Sequence, residues 1–126
     1  MPQTLQGFAL MFFGAGIGGM LRHAVNRIPS VITAGFPWGT FAINVAGSLV
    51  MGLAAGWFAF KGESSQSWRL FLTNGILGGF TTFSAFSLDA ALLWERGNTT
   101  GFVSYVLGSV LASLAAVFGG LALMRR

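Results

Sequence analysis

The chain has no cysteine, which rules out disulfides, thiolate metal sites and cysteine nucleophiles. Charge is almost as scarce. Seven Lys and Arg and three Asp and Glu make 8% of 126 residues, whereas a soluble domain carries about 25% charged residues to cover its surface. All three acidic residues, Glu63, Asp89 and Glu95, sit toward the ends of apolar runs. The usual mark of a cation or proton-coupled route through lipid, a carboxylate inside the membrane, is therefore missing. The one histidine, His23, stands alone at an interfacial position with no nucleophile–base arrangement around it. Enzyme chemistry is not expected. The basic residues lie almost entirely outside the apolar runs, as membrane-flanking cations do, and form no stripe for nucleic acid. The start, MPQTLQGF, lacks a basic region and an obvious cleavage site, so the first apolar run is expected to be retained.

Apolar residues, by contrast, make up 54% of the chain. A spanning helix needs about 20 of them in succession, and four stretches qualify, at about residues 5–26, 39–60, 68–94 and 101–124. The length bounds the chain to one domain, so the expected fold is an all-α membrane protein of four transmembrane helices. Polar breaks with proline or glycine separate the stretches, and Trp38, Trp57, Trp68 and Trp94 mark their ends as an aromatic belt would. Lys61, Arg69, Arg125 and Arg126 then share one side of the membrane and Arg22, Arg27 and Arg96 the other. So even a split gives almost no orientation. Two arrangements stay open: one orientation set by something else, or insertion both ways with pairing of inverted copies. Glycine pairs at small-xxx-small spacing (Gly14/Gly18, Gly52/Gly56, Gly75/Gly79) allow close backbone contact within one chain or between two. A homodimer is expected, because four helices alone fill their own centre.

The segment GGFTTFSAFS (78–87) asks for a reason to exist. A continuous helix from Trp68 to Trp94 would run about 39 Å, which centres it on Thr81. Gly78 and Gly79 weaken a helix there, while Thr81, Thr82 and Ser84 can bond backbone groups in its place. A break near 78–84 is expected, buried in protein or lining a polar cavity, with carbonyls able to hold an ion. Thr40, Asn44 and Ser48 share one face of the second stretch, and Tyr105, Ser109 and Ser113 one face of the fourth. Such residues can be interhelical glue. Two matched stripes beside a hydroxyl-rich break suggest a permeation path. Its groups are donors: the Asn44 amide, the hydroxyls, and the positive edges of Phe80, Phe83 and Phe86. Arg22 could draw anions into a vestibule or simply snorkel to the interface. A small hydrated anion fits this set, exchanging water for donors in steps.

GGFTTFSAFS (78–87), GTFAINVAGSLVMG (39–52) and GAGIGGMLRH (14–23) resemble the Fluc, or CrcB, family of bacterial fluoride channels. The resemblance spans the length of the chain and is most specific in the third stretch. It implies a dual-topology antiparallel homodimer in the bacterial cytoplasmic (inner) membrane, with two pores that passively export fluoride and so lower its toxicity. It further implies that Phe83 and Phe86 are the pore phenyl pair and Asn44 the pore amide. Tyr105, Ser109 and Ser113 would form the polar track of the fourth helix, with Thr40 nearby and Arg22 in the vestibule. A structural Na+, not transported, would be held on the dimer axis by the Gly78 and Thr81 carbonyls of both copies. His23 stands where the family often has Tyr, and Asp89 where relatives often carry Glu. The rival classes are a small four-helix multidrug-type exporter and a non-transporting scaffold. The exporter would need a carboxylate in the first helix, and residues 5–21 hold none.

Overall fold

The computed structural model describes residues 3–28, 35–62 and 66–126. Glu63 and parts of the first two polar connections (29–34 and 63–65) lie outside the described residues. The helical elements are α1 (Gln3–Asn26), α2 (Trp38–Gly56, continued by a π turn Trp57–Lys61), α3 (66–80), α4 (Ser84–Glu95) and α5 (Thr99–Arg125). α3 and α4 together form the third of four crossings, each long and apolar enough to span a membrane. Lipid offers backbone groups no hydrogen bonds, so a chain this apolar satisfies them within helices.

Local chemistry sets the ends. Gly97, at φ +78°, takes the left-handed conformation that closes α4. The Asn98 amide then bonds back to the Leu93 carbonyl at 3.0 Å. Asn98 starts α5 at once, its Oδ1 accepting from the Gly101 amide at 2.8 Å. At the opposite end of the molecule, Lys61 Nζ donates to the Arg126 carbonyl at 2.6 Å, tying α2 to the end of α5.

Two parallel helix pairs make up the bundle. Gly7, Gly14 and Gly18 of α1 meet Leu70, Gly75 and Gly79 of α3 in the same order, so the first and third crossings run the same way. Gly52 and Gly56 of α2 meet Val117 and Leu121 of α5, and the second and fourth crossings are parallel too. Glycine is required at these crossings. A Cβ on Gly14 would lie 2.8 Å from the Gly75 Cα, one on Gly79 2.5 Å from the Ala15 carbonyl oxygen, and one on Gly120 2.6 Å from the Leu53 nitrogen. All three glycine pairs predicted from spacing are thus used for contact inside one chain.

Ile43, Leu93 and Tyr105 are fully buried. Phe8, Phe12, Phe13, Met20 and Phe118 are more than half exposed on the outside, which suits lipid tails and not water. Trp38 and Trp94 lie at one end, Trp57 and Trp68 at the other, all four about half exposed.

The third crossing is broken, over a shorter stretch than the sequence suggests. Gly78–Phe80 remain helical, and only residues 81–83 leave the helix, with Thr81 extended at φ −82°, ψ 159°. The glycine pair does not make the break. Gly79 is there because its backbone presses on Ala15. Before it, Leu70–Leu77 is wound as a π-helix, a form that often accompanies functional irregularity.

Candidate functional site

At the break, a helix normally repeats one bond: each amide reaches the carbonyl four residues back. Thr81 still obeys, its amide and its hydroxyl both donating to the Leu77 carbonyl at 3.0 Å. Thr82 does not. Its amide donates to Asn44 Oδ1 at 2.8 Å, and its carbonyl accepts from Asn44 Nδ2 at 2.9 Å. One carboxamide from α2 thus substitutes for the helical partners of the peptide groups on each side of Thr82. The Ala85 amide, three residues on, donates to Thr82 Oγ1 at 3.1 Å, which starts α4 as a hydroxyl cap.

These substitutions have a definite consequence. The Thr82 amide would ordinarily serve the Gly78 carbonyl and the Ala85 amide the Thr81 carbonyl. Both amides are engaged elsewhere. Gly78 and Thr81, like Gly79 and Phe80 between them, are therefore left with main-chain oxygens that lack their helical donors, in an apolar chain where such oxygens seek a partner. This donor chemistry, neutral and hard, suits an alkali cation. No cluster of His, Asp or Glu that could hold a metal occurs among the described residues.

Beside the break lies a cavity of about 310 Å³, open on one side. Asn44 and Ser48 line it from α2, Thr81, Thr82, Phe83 and Phe86 from the third crossing, and Ser109 and Ser113 from α5. The two polar stripes read from spacing meet here, on either side of the hydroxyl-rich segment. Ser109 is 5% exposed, and its Oγ finds no hydrogen-bond partner among the described residues. Buried hydroxyls normally find one, so this one is placed to serve something else. The Phe83 and Phe86 rings are 5.6 Å apart. Phe83 is 77% exposed on the open side.

Not every candidate lines the cavity. Tyr105 is buried beyond Phe86, ring centroids 5.1 Å apart, and its hydroxyl donates to Asp89 Oδ2 at 3.4 Å. Thr40, also buried, provides the other polar side chain beside that hydroxyl. Together they continue the polar line past the phenyl pair. Arg22 lies one helical turn beyond Gly18, half-buried, with an Nε that has no partner among the described residues. The Asn44 clasp on Thr82 escapes sequence reading because the partner is backbone 38 residues away. The Asp89–Tyr105 contact carries a sequence signal, an acidic residue toward the end of an apolar run, but that signal names no partner.

A family model described as CrcB-like protein, camphor resistance (CrcB), matches residues 9–121. A protein of Rhodopseudomonas palustris (strain BisB5) named fluoride-specific ion channel FluC is 60% identical over 119 residues, covering 94% of this chain and 96% of that one. Its namesake in Methylobacterium nodulans is 57% identical over 117 residues, covering 93% and 94%. Another, from Hyphomonas neptunium, is 49% identical over 124 residues, covering 97% and 98%. With four apolar crossings and a donor-lined cavity at a mid-helix break, matched by these relatives over nearly its whole length, the chain belongs to the CrcB family of membrane channels.

Proposed function

We propose that the protein is a fluoride-selective channel that lets fluoride leave the bacterial cytoplasm across the inner membrane by passive flow. The observation that carries this reading is the buried Ser109 hydroxyl, unpartnered among the described residues, in a cavity whose described lining includes the Asn44 amide, further hydroxyls and two phenyl rings, but no carboxylate. Fluoride is small and strongly hydrated, so it enters such a path only if donors replace its water in sequence. Ser109, Ser113 and Ser48 offer hydroxyl protons, Asn44 its remaining N–H, and Phe83 and Phe86 the positive edges of their rings. Thr40 and Tyr105 extend the line, and Arg22 raises the anion concentration at a vestibule. The names of the relatives support the choice of anion.

A cavity open on one side cannot face lipid tails with its polar groups bare. A second copy supplies the missing wall in this reading. The near-even flanking charge lets that copy insert upside down, giving an antiparallel homodimer with two pores. The freed Gly78 and Thr81 carbonyls of both copies would hold one Na+ between them as a structural ion. Bound there, the ion would offset the partial negative charge of those oxygens.

Purified protein in liposomes tests this directly. Fluoride should leave the vesicles down its gradient while chloride stays. Absence of fluoride flux at every protein density would refute the channel. Crosslinking of engineered cysteines in parallel but not antiparallel pairs would refute the inverted dimer.

A further inference from the structure

A second crevice, of about 270 Å³, lies between α2 and the start of α3, at the end of the molecule that carries Lys61 and Arg126. Its wall on α2 is apolar, from Met51, Ala55 and Phe58, while α3 contributes Arg69, Thr73 and Asn74. The polar groups are biased toward donation. The Thr73 hydroxyl is directed to the Arg69 carbonyl at 2.7 Å and to Asn74 Oδ1 at 3.1 Å, which occupies the acceptor end of that amide. What remains is the Asn74 NH2 group and the Arg69 guanidinium, and no carboxylate lines the crevice among the described residues. Two other cations at this end are engaged: Lys61 with the Arg126 carbonyl, and Arg125 over the Phe60 ring at 5.2 Å. The Arg69 side chain has no hydrogen bond or ion pair among the described residues, although it stands beside a polar crevice.

Met51 lines both this crevice and the cavity at the break. A single flexible thioether side chain therefore stands between the two spaces. We propose that the crevice is an anion-gathering mouth: Arg69 and the Asn74 amide attract a small, partly hydrated inorganic anion, and Met51 is the constriction it passes to reach Asn44 and Ser48. The proposal rests on the fluoride-channel reading and assigns it a mouth distinct from Arg22, at the opposite end of the first and third crossings.

The lack of cysteine makes the test clean, because Arg69→Cys carries the only thiol. Fluoride efflux from liposomes is measured at low ionic strength and low fluoride, with the wild type alongside. Neutralising a steering charge should slow efflux about threefold to tenfold there, with the difference shrinking as salt screens the field. A cationic thiol reagent on Arg69→Cys should restore efflux and an anionic sulfonate reagent should depress it further. Restoration within the same protein shows that folding is not at issue. In Met51→Cys, a bulky reagent should block efflux outright. If the wild type conducts and fully modified Arg69→Cys responds equally to both reagents or to neither, the mouth is refuted and the channel reading stands. If the response follows the anionic lipid content of the vesicles instead of salt, the crevice holds a headgroup phosphate and the mouth is likewise refuted. If the wild type passes no fluoride, the channel reading itself fails.

Discussion

Replacing Asn44 with leucine keeps most of the side-chain volume and removes both bonds to Thr82. The two freed groups then fare differently. The Thr82 amide has an acceptor at hand, the Gly78 carbonyl four residues back, and can reclose the helical bond that the clasp displaced. The Thr82 carbonyl is less well served: its helical donor, the Phe86 amide, makes no bond to it in the folded chain, where the first such bond of α4 runs from the Ser87 amide to the Phe83 carbonyl at 2.8 Å. One unsatisfied buried carbonyl costs about 1–3 kcal/mol. Hydrogen bonds inside membranes measure toward the lower part of such ranges, since freed groups find other partners. We therefore expect a loss of about 1–2 kcal/mol, close to a tenfold change in the unfolding equilibrium. The helix should also grow past Phe80, and Gly78 should lose its free oxygen. Amide exchange in lipid nanodiscs, read at Thr82 and Ala85, reports the first effect. The dependence of the thermal midpoint on Na+ against a large organic cation reports the second. Wild-type protein should be stabilised by Na+ and Asn44→Leu should not. If the variant exchanges at Thr82 like the wild type and keeps its Na+ response, the carboxamide does not hold the break open, and the account of the freed carbonyls fails with it.

Gly79→Leu should prevent α1 and α3 from closing, because a Cβ there already meets the Ala15 carbonyl at 2.5 Å; a monodisperse, wild-type elution profile in detergent would contradict this. Thr82→Val removes the cap on Ala85 and should cost about 1 kcal/mol of thermal stability, whereas Thr82→Ser should restore it; equal midpoints for the two variants would show that the cap is dispensable. Phe83→Ile and Phe86→Ile should each abolish fluoride efflux while assembly persists, and unchanged efflux would remove that ring from the path. Ser109→Ala should slow efflux by about tenfold with stability unchanged, since its hydroxyl has no partner within the chain to lose; a drop in the melting temperature instead would show that the hydroxyl is structural.

The solvent, the number of crossings and the neighbourhood of the irregularity are legible in the residues alone. Those follow from composition and from helical period, which are local: 8% charge cannot clothe a soluble surface, and Thr40, Asn44 and Ser48 fall on one face whatever lies opposite. Spacing likewise picked out Gly14, Gly52 and Gly75 as points of close approach. It could not say what approaches them, and the structure gives each a partner inside the chain. The extent of the break was also out of reach. Gly78 and Gly79 read as the weak point, yet tertiary packing keeps them helical, because propensity is a small energy beside the contact with α1. The break falls instead at Thr81–Phe83, where a side chain from another helix outbids the ladder for both Thr82 groups. Which main-chain oxygens are left free is thus a property of two segments 38 residues apart, and only the folded chain brings them together.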